Sequence, residues 1–210
     1  MSAARTASGA GADWRWSLLL PPNWVTLPVE AEAGRTAIRR LLDRRMAHLP
    51  RDRVAPARRR MQAELRSLLA EARQAGATTL HAHVGLIRGV PVSATCAVSL
   101  VRGAADDPRL IAEVALVFGR GDDVVEVDVR PVAGVPAVRR RRQGRVPVSG
   151  SRGGCPSTSL DWVVALPDGG GALVLSFGTL TAPVADELVT VFDAIVQSLV
   201  LESAVSRPLG

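Results

Sequence analysis

Two histidines are the side chains of this sequence that come closest to metal-binding chemistry. His81 and His83 lie two residues apart in a segment of small and β-branched residues, and alternate residues of a strand share one face. Two imidazoles on one face could chelate a metal ion, but no cysteine or further histidine lies nearby in the sequence to complete a tetrahedral set. Strand histidines are more often packed and hydrogen-bonded. The sequence therefore predicts neither a metal nor a cofactor.

The nucleophiles and the glycine-rich segments also lack the surroundings that catalysis requires. Ser149, Ser151 and Ser157 do not lie in a nucleophile-elbow motif. Gly119-Arg120-Gly121 lacks the third glycine of a dinucleotide-binding loop, and Gly169-Gly170-Gly171 is typical of a hairpin turn. We predict that the protein is not an enzyme.

The two cysteines do not indicate redox chemistry. Cys96 lies inside the apolar run 93–101, where a free thiol behaves as a small buried hydrophobe. Cys155 has more open glycine and proline neighbours. Two cysteines alone establish neither a disulfide nor a nucleophile.

Arginine supplies all 26 basic residues and is unevenly distributed along the chain. Twelve arginines lie within 35–73 against four acidic residues, and five lie within 139–145 with no acidic residue among them. The rest of the chain has an excess of acidic residues, so the formal net charge of +6 hides a polarised molecule. Such polarisation indicates either an acidic partner surface or internal ion pairing.

The densest arginine run poses a packing problem. If it forms a strand, two of its four side chains point to each face, and charged side chains are costly inside an apolar core. We therefore expect the run at a sheet edge, an overhang or a loop. Pairing with Glu126 and Asp128 across a hairpin and binding of an anion or acidic protein both remain open. The run and its neighbour are Arg139, Arg140, Arg141, Arg142 and Arg145.

Four arginines of the region 35–76 are further candidate contacts. Arg45 falls within the apolar stripe of a predicted helix, where it either snorkels past Leu41 and Leu49 or contacts a partner. Arg58, Arg59 and Arg60 precede a second helix and could contact phosphates. Few aromatic residues and no recognisable nucleic-acid-binding motif make nucleic acid the second choice of ligand.

The spacing of apolar residues predicts an α+β domain with an antiparallel sheet flanked by helices. Period-two alternation predicts strands at 14–20 and 125–129, and 24–29 is a second short extended segment. Richness in β-branched residues predicts strands at 78–88 and 91–101, joined as a hairpin across Gly89, and 137–146 is expected to pair with 125–129 as a hairpin through Gly134. Helical spacing predicts helices at 35–49 and 61–72, separated by Pro50 and Pro56, and Asp107-Pro108 predicts the start of a third helix that ends near 118. The segment 145–156 is rich in Gly, Ser and Pro and predicts an exposed loop.

The clearest pattern lies in 159–201. Two apolar-rich runs joined by Asp168-Gly169-Gly170-Gly171 lead, after Pro183, into an amphipathic helix. Its apolar side suits packing on a sheet, and Val200 broadens that side, whereas Asp186 and Asp193 fall on the opposite, polar side. We expect a disordered tail at 1–12, one domain at 13–202 with an Arg-rich helical insertion at 35–76, and a flexible tail at 203–210.

Both ends of the predicted domain resemble the PsbP-like α/β/α sandwich superfamily, which includes the Ran-binding Mog proteins, the DcrB proteins and the LpqN lipoproteins. The resemblance rests on the apolar strand that runs into Pro21-Pro22-Asn23-Trp24, and on the runs 160–164 and 172–177 followed by the last helix. The middle of the chain matches poorly, and the insertion is larger than expected for a minimal member. The resemblance implies a partner-binding or accessory protein, and for an actinobacterial cytoplasmic member an association with type VII secretion.

These observations lead to one functional prediction. The protein is expected to be a cytoplasmic, non-enzymatic adaptor that binds an acidic protein partner through its arginines, with anion or nucleic-acid binding as the alternative and homodimerisation open. An LpqN-like lipoprotein would need a signal peptide and a lipidated cysteine near its start, whereas the first cysteine here is Cys96. Leu18-Leu19-Leu20 is too short for a signal peptide core or a membrane span.

Overall fold

The computed structural model describes residues 5–10, 14–46, 51–87, 90–102, 109–147, 154–167 and 171–203. Within these ranges the chain has the predicted α+β fold. The helices are α1 (Ala31–Met46), α2 (Arg51–Gln74), α3 (Leu110–Phe118) and α4 (Ala185–Gln197). The strands are β1 (Arg5–Ala10), β2 (Trp14–Leu20), β3 (Trp24–Pro28), β4 (Thr79–Ile87), β5 (Val90–Val101), β6 (Val124–Val132), β7 (Val135–Val146), β8 (Cys155–Ala165), β9 (Ala172–Thr179) and β10 (Val200–Ser203).

In the described ranges, seven strands form the larger sheet, in the order β3-β4-β5-β9-β8-β7-β6. All neighbouring strands are antiparallel. The predicted pairings of β4 with β5, β6 with β7 and β8 with β9 are all present. Ala133 and Gly134 join β6 to β7 with φ angles of 51° and 79°, which are the left-handed conformations that a two-residue hairpin turn needs.

The smaller sheet of the described residues has the order β1-β2-β10, and it differs from the sequence-based prediction at both of its edges. Residues 5–10 were expected in a disordered tail, but they form β1 and pair with β2. Gly9 lies opposite Trp16, and a Cβ at Gly9 would be 2.6 Å from the indole ring. Trp16 therefore packs closely on this glycine and gives β1 an apolar contact that the small residues of 5–10 do not indicate.

The second difference concerns the segment after α4. The predicted helix included Val200, but α4 ends at Gln197 and Val200 begins β10, which pairs with β2. Ser198 and Leu199 make the turn between them, and Ser198 Oγ accepts a hydrogen bond from the Leu19 amide at 2.8 Å. The apolar spacing continues through this turn, which is why periodicity alone extended the helix. Residues 204–210, part of the predicted flexible tail, lie outside the described residues.

One face of the seven-stranded sheet, here called the α4 face, packs against α4 and β2. It carries Trp24, His81, Cys96, Phe177 and Leu160 from successive strands, which the register places in rows across the sheet. The apolar members of this set join β2 and α4 residues in one buried core, and His81 packs edge-on against Trp16 of β2. Phe177 stacks on Phe192 of α4 at a centroid distance of 4.8 Å.

The opposite face is covered by two separate helical layers. The helices α1 and α2 bury Ile38, Leu42 and Leu69 against Leu27 and Leu80, forming a second core, while α3 packs on β6 and β7. The helix α1 begins at Ala31, four residues before the predicted start. The helix α2 runs through Pro56 rather than starting after it, and it ends before Gly76, whose φ of 76° suits a helix stop.

Two other predicted features lie partly or wholly outside the described residues. These are the Asp107-Pro108 helix start and much of the 145–156 loop. The loop is shorter than predicted at both of its described ends, because β7 continues to Val146 and β8 begins at Cys155.

Candidate functional site

The arginine run lies on β7, and we call Arg139, Arg140, Arg141 and Arg142 the arginine strand. β7 lies between β6 and β8, so the expectation of an edge, an overhang or a loop is wrong. The expectation assumed that charged side chains would meet an apolar interior. The structure instead supplies carboxylates on both faces of the sheet, so that each arginine of the strand has an ion-pair partner.

Arg139 is the most buried member of the arginine strand, with its side chain 5% exposed on the α4 face. Its Nε donates to Asp193 Oδ1 of α4 at 2.9 Å, its Nη2 donates to Asp193 Oδ2 at 3.0 Å, and its Nη1 donates to Glu126 Oε2 of β6 at 2.6 Å. Burial alone would lower the pKa of Arg139, but the hydrogen bonds and negative charges of Asp193 and Glu126 outweigh it and raise that pKa. Arg139 is therefore permanently charged and fully engaged within the molecule.

Asp193 is the centre of this cluster. Its Oδ1 also accepts a hydrogen bond at 3.1 Å from Nε1 of Trp162, a fully buried residue of β8. The guanidinium carbon of Arg130 lies 5.0 Å from the Trp162 ring centroid, and Arg130 Nη2 lies 4.0 Å from Asp193 Oδ2. Nearby, Arg141 pairs with Asp186 in the first turn of α4. The sequence pattern placed Asp186 and Asp193 on the solvent side of the last helix, whereas the structure uses both to attach that helix to β7.

A second cluster lies on the opposite face, around Asp161. This residue is 5% exposed, and its Oδ2 accepts hydrogen bonds from Arg140 Nη2 at 2.9 Å and Arg140 Nε at 3.2 Å. Arg142 Nη2 forms an ion pair with the same oxygen at 3.3 Å. Arg142 Nη1 also lies 3.5 Å from Asp123 Oδ2. The Arg140 guanidinium lies 3.9 Å from the centroid of the Phe118 ring of α3. An acid in the middle of the apolar run 160–164 was the sequence signal for this pairing.

The reading of the arginine strand as an internally paired element is therefore correct for Glu126, which pairs with Arg139 across the β6–β7 hairpin. Asp128 lies opposite Arg139 in the register, but among the described contacts its ion pair is with Arg130 of its own strand, whose Nε lies 3.2 Å from Asp128 Oδ2. The carboxylates that hold these guanidinium groups would compete with an acidic partner for them. The arginine strand is best described as a charged element of the core.

Arg145 lies beyond the arginine strand, at an open cavity of about 620 Å³. Its Nη2 donates to the Gly154 carbonyl oxygen at 2.7 Å. The cavity lies between the ends of β7 and β8 and the start of α4, and its lining includes Ser157, Thr158, Asp186 and Glu187. Both signs of charge occur in this lining, so the cavity does not favour an anion over a cation.

The arginines of α1 and α2 have different surroundings. Arg39, Arg40, Arg44, Arg59 and Arg66 are exposed and form no ion pair with the residues that the structure describes. We call these five residues the helical arginine surface. Arg58, one of the predicted contacts, pairs with Asp43 at 2.5 Å and so links α2 to α1. Arg45 and Arg60 lie on α1 and α2, but their side chains are outside what the structure describes.

The two histidines do lie on one face of β4, as predicted, and that face is in the core. His81 is fully buried, and its Nδ1 lies 3.1 Å from Thr26 Oγ1. Burial lowers the pKa of His81 to about 4, and it raises the pKa of the neighbouring Cys96 thiol. His83 packs against the Trp24 ring at a centroid distance of 6.1 Å. Within the described ranges, no three His, Cys, Asp or Glu side chains are grouped as metal ligands would be.

Comparisons with known proteins give distant structural similarity and no match in sequence. No protein-family model and no curated protein matches the sequence. Among solved structures, the chain is similar to LpqN, described as involved in cell envelope biogenesis of Mycobacterium tuberculosis. The sequence identity is 11%, the TM-score is 0.49, and the match covers 95% of this chain and 92% of LpqN. No helix within the described ranges is both long and apolar enough to cross a bilayer.

Proposed function

We propose that this protein is a non-enzymatic accessory protein that binds an acidic protein partner through the helical arginine surface. The observation that carries the proposal is the contrast in pairing: carboxylates hold the four guanidinium groups of the arginine strand, while the five arginines of the helical arginine surface are exposed without a described ion-pair partner. Both helices bury their apolar sides against the sheet. The face that remains for contact is therefore polar and strongly positive.

The charge on this surface favours an anionic macromolecule. Exposed like charges attract an oppositely charged surface over about 8 to 10 Å at physiological salt, and they mainly raise the association rate and specificity of a complex. The arginines are spread over two adjacent helices that the Arg58–Asp43 ion pair joins. Such a broad surface suits the acidic face of a folded protein better than a single small anion.

The family assignment and cellular setting are part of the same proposal. The resemblances at 18–24 and 160–177 support membership of the PsbP-like superfamily, and we propose an actinobacterial member that acts in the cytoplasm beside a type VII secretion system. In that setting the acidic partner would be a secretion component or a secreted substrate.

The test is a pull-down from the native host after nuclease digestion, read by mass spectrometry, with three forms of the protein. R40Q/R44Q/R59Q removes three charges from the helical arginine surface. R15Q/R102Q/R120Q removes three exposed arginines elsewhere and is the matched control. We expect wild type and control to retain the same acidic protein, and the first variant to bind it at least about tenfold more weakly, because each lost charge weakens the attraction.

Other outcomes would contradict the proposal. Equal binding by all three forms would remove the helical arginine surface from the interface. Retention of material only before nuclease digestion, with affinity that falls steeply as salt rises, would identify nucleic acid as the ligand instead.

A further inference from the structure

One edge of the seven-stranded sheet is an open strand beside exposed apolar side chains. β6 is the last strand of the sheet, and among the described residues it pairs only with β7. Val125 and Val129 on β6 are 55% and 53% exposed. On α3, which packs on β6 and β7, Leu116 and Val117 are 71% and 58% exposed. Exposed apolar side chains on an open edge strand are typical of an association site.

The proline positions show which backbone groups of β6 face outward. Pro131 lies opposite Pro136 across the β6–β7 hairpin, and neither residue has an N–H group. Such a pair belongs to the class that exchanges no hydrogen bonds in an antiparallel ladder. Pairs with and without hydrogen bonds alternate along an antiparallel ladder, so Val129 and Val127, two and four residues before Pro131, are also in pairs without hydrogen bonds. Their N–H and C=O groups therefore point away from β7 and towards the open edge.

Two irregularities limit the part of β6 that another strand can pair with. The register shifts between Val124 and Glu126, which makes Val125 the extra residue of a bulge. At the other end, Pro131 has no outward N–H to donate. Regular pairing is therefore confined to residues 126–130, and the centre of this segment is Asp128.

The segment is complementary to itself. In an antiparallel pair centred on Asp128, Val127 of one copy lies opposite Val129 of the other and exchanges backbone hydrogen bonds with it. Glu126 then lies opposite Arg130 of the second copy, twice by symmetry, and both side chains are about half exposed, at 51% and 40%. The two Asp128 carboxylates meet at the two-fold axis, where each has its own Arg130 at 3.2 Å to offset their repulsion.

We propose that β6 is a homodimerisation edge, at which a second copy of this chain extends the seven-stranded sheet through antiparallel pairing of residues 126–130. A two-fold axis perpendicular to the sheet places both α3 helices on the same side of the extended sheet. A second copy is the occupant because self-pairing brings Glu126 opposite Arg130 and places matching backbone groups opposite each other. None of the helical arginine surface takes part, so the dimer is independent of the proposed function.

Sedimentation equilibrium tests the dimer with two matched variants. Val129 and Leu19 are equally exposed, at 53%, and lie on β6 and β2. V129K introduces a charge at the proposed interface and should raise the dimer dissociation constant at least about tenfold, a loss of about 1.4 kcal/mol. L19K should leave the constant unchanged. Circular dichroism would confirm that both variants keep their helix and strand content.

Cross-linking tests the register. In a C155S background, D128C places one thiol at the two-fold axis, where facing Cα atoms of a pair without hydrogen bonds lie about 4.5 Å apart, within the range that a disulfide spans. We expect D128C to form covalent dimers faster than L19C under mild oxidation. Wild-type protein that stays monomeric up to its solubility limit, equal effects of V129K and L19K, or equal cross-linking of D128C and L19C would each overturn the proposal.

Discussion

The arginine strand and the helical arginine surface use one residue type in opposite ways. In the arginine strand each guanidinium meets a carboxylate from a neighbouring strand, from α4 or from the turn before β6. The guanidinium groups of the helical arginine surface are exposed, and the described carboxylates of α1 and α2 pair with only Arg35 and Arg58. The density of arginine in the sequence is higher on β7, but the charge that a partner can reach is on the helices.

Whether an arginine-rich segment packs inside the fold or faces solvent therefore depends on the charges that face it more than on the charge that it carries. A buried ion pair gains little over apolar packing, but loss of one partner is costly because the other charge stays behind without a counter-charge. An exposed arginine costs almost nothing to remove. The two regions should therefore respond to substitution in opposite ways, one through stability and the other through binding.

The largest expected effect is on the arginine strand. R139M leaves Asp193 and Glu126 without their shared counter-charge, so we expect the free energy of unfolding to fall by about 3 kcal/mol, near the lower limit for a broken buried pair. The lower limit applies because the Asp193 side chain is 25% exposed. Urea denaturation followed by circular dichroism measures the change.

Two further variants make this result specific. R120M removes an exposed arginine and should change the free energy of unfolding by less than about 0.5 kcal/mol. R139M/D193L removes both charges of the pair and should recover part of the loss. Equal losses in R139M and R120M would mean that the charge cluster does not stabilise the fold.

The second effect depends on pH, because arginine stays charged in both states whereas the core histidine binds a proton at a different pH in the folded and the unfolded chain. The folded-state pKa of His81 is about 4 against 6.5 in a model peptide. Between these two pH values the unfolded chain binds a proton at His81 and the folded chain does not. Stability from this group is complete above pH 6.5 and declines as the pH falls towards 4. We expect a loss of about 2 kcal/mol between pH 7.5 and pH 5.

Substitutions around the histidine test this assignment. H81Q should abolish most of the pH-dependent loss, although its stability at pH 7.5 will be lower. T26V removes the hydroxyl near His81 Nδ1 and should keep the pH dependence, because burial rather than that contact lowers the pKa. A pH dependence that is unchanged in H81Q would assign the acid sensitivity to other groups.

The smallest effect concerns the helical arginine surface. Arg40 and Arg44 are exposed and four residues apart on α1, so their like charges face each other along the helix. R40Q should raise the free energy of unfolding by about 0.3 kcal/mol at low salt, and this gain should vanish at high salt. Differential scanning calorimetry at the two salt concentrations measures it. Destabilisation by R40Q would indicate that Arg40 has a structural role.

The sequence predicted the parts of the fold that depend on local pattern. The alternation of Val125, Val127 and Val129 and the turn at Gly134 predicted β6, β7 and their hairpin, which the structure confirms. The errors arose where a distant contact overrides the local pattern. Nothing in the small residues of 5–10 reveals that Trp16 packs on Gly9, and the spacing around Val200 continues the α4 stripe although β2 pairs with this segment.

The candidate site was harder to predict than the fold, because pairing depends on strand order. The identity of the strand beside β7 decides whether Asp161 faces Arg140, and that order follows no local rule. The sequence showed that Glu126 could reach the arginine run across a hairpin, and the structure confirms it. The sequence could not show that Asp193, more than fifty residues later, would face Arg139 from a helix above the sheet.

The position of β10 has a consequence for the order in which this chain folds. β2 pairs on one side with β10, about 180 residues later in the chain, and the Leu19 amide donates a hydrogen bond to Ser198 Oγ across a similar interval. Closure of so long a loop is entropically costly, and contacts distant in sequence slow folding. During synthesis the hairpins of the larger sheet can form as they emerge from the ribosome, whereas β2 must remain half-paired until residues 200–203 are made. The three-stranded sheet is thus the last structure to close.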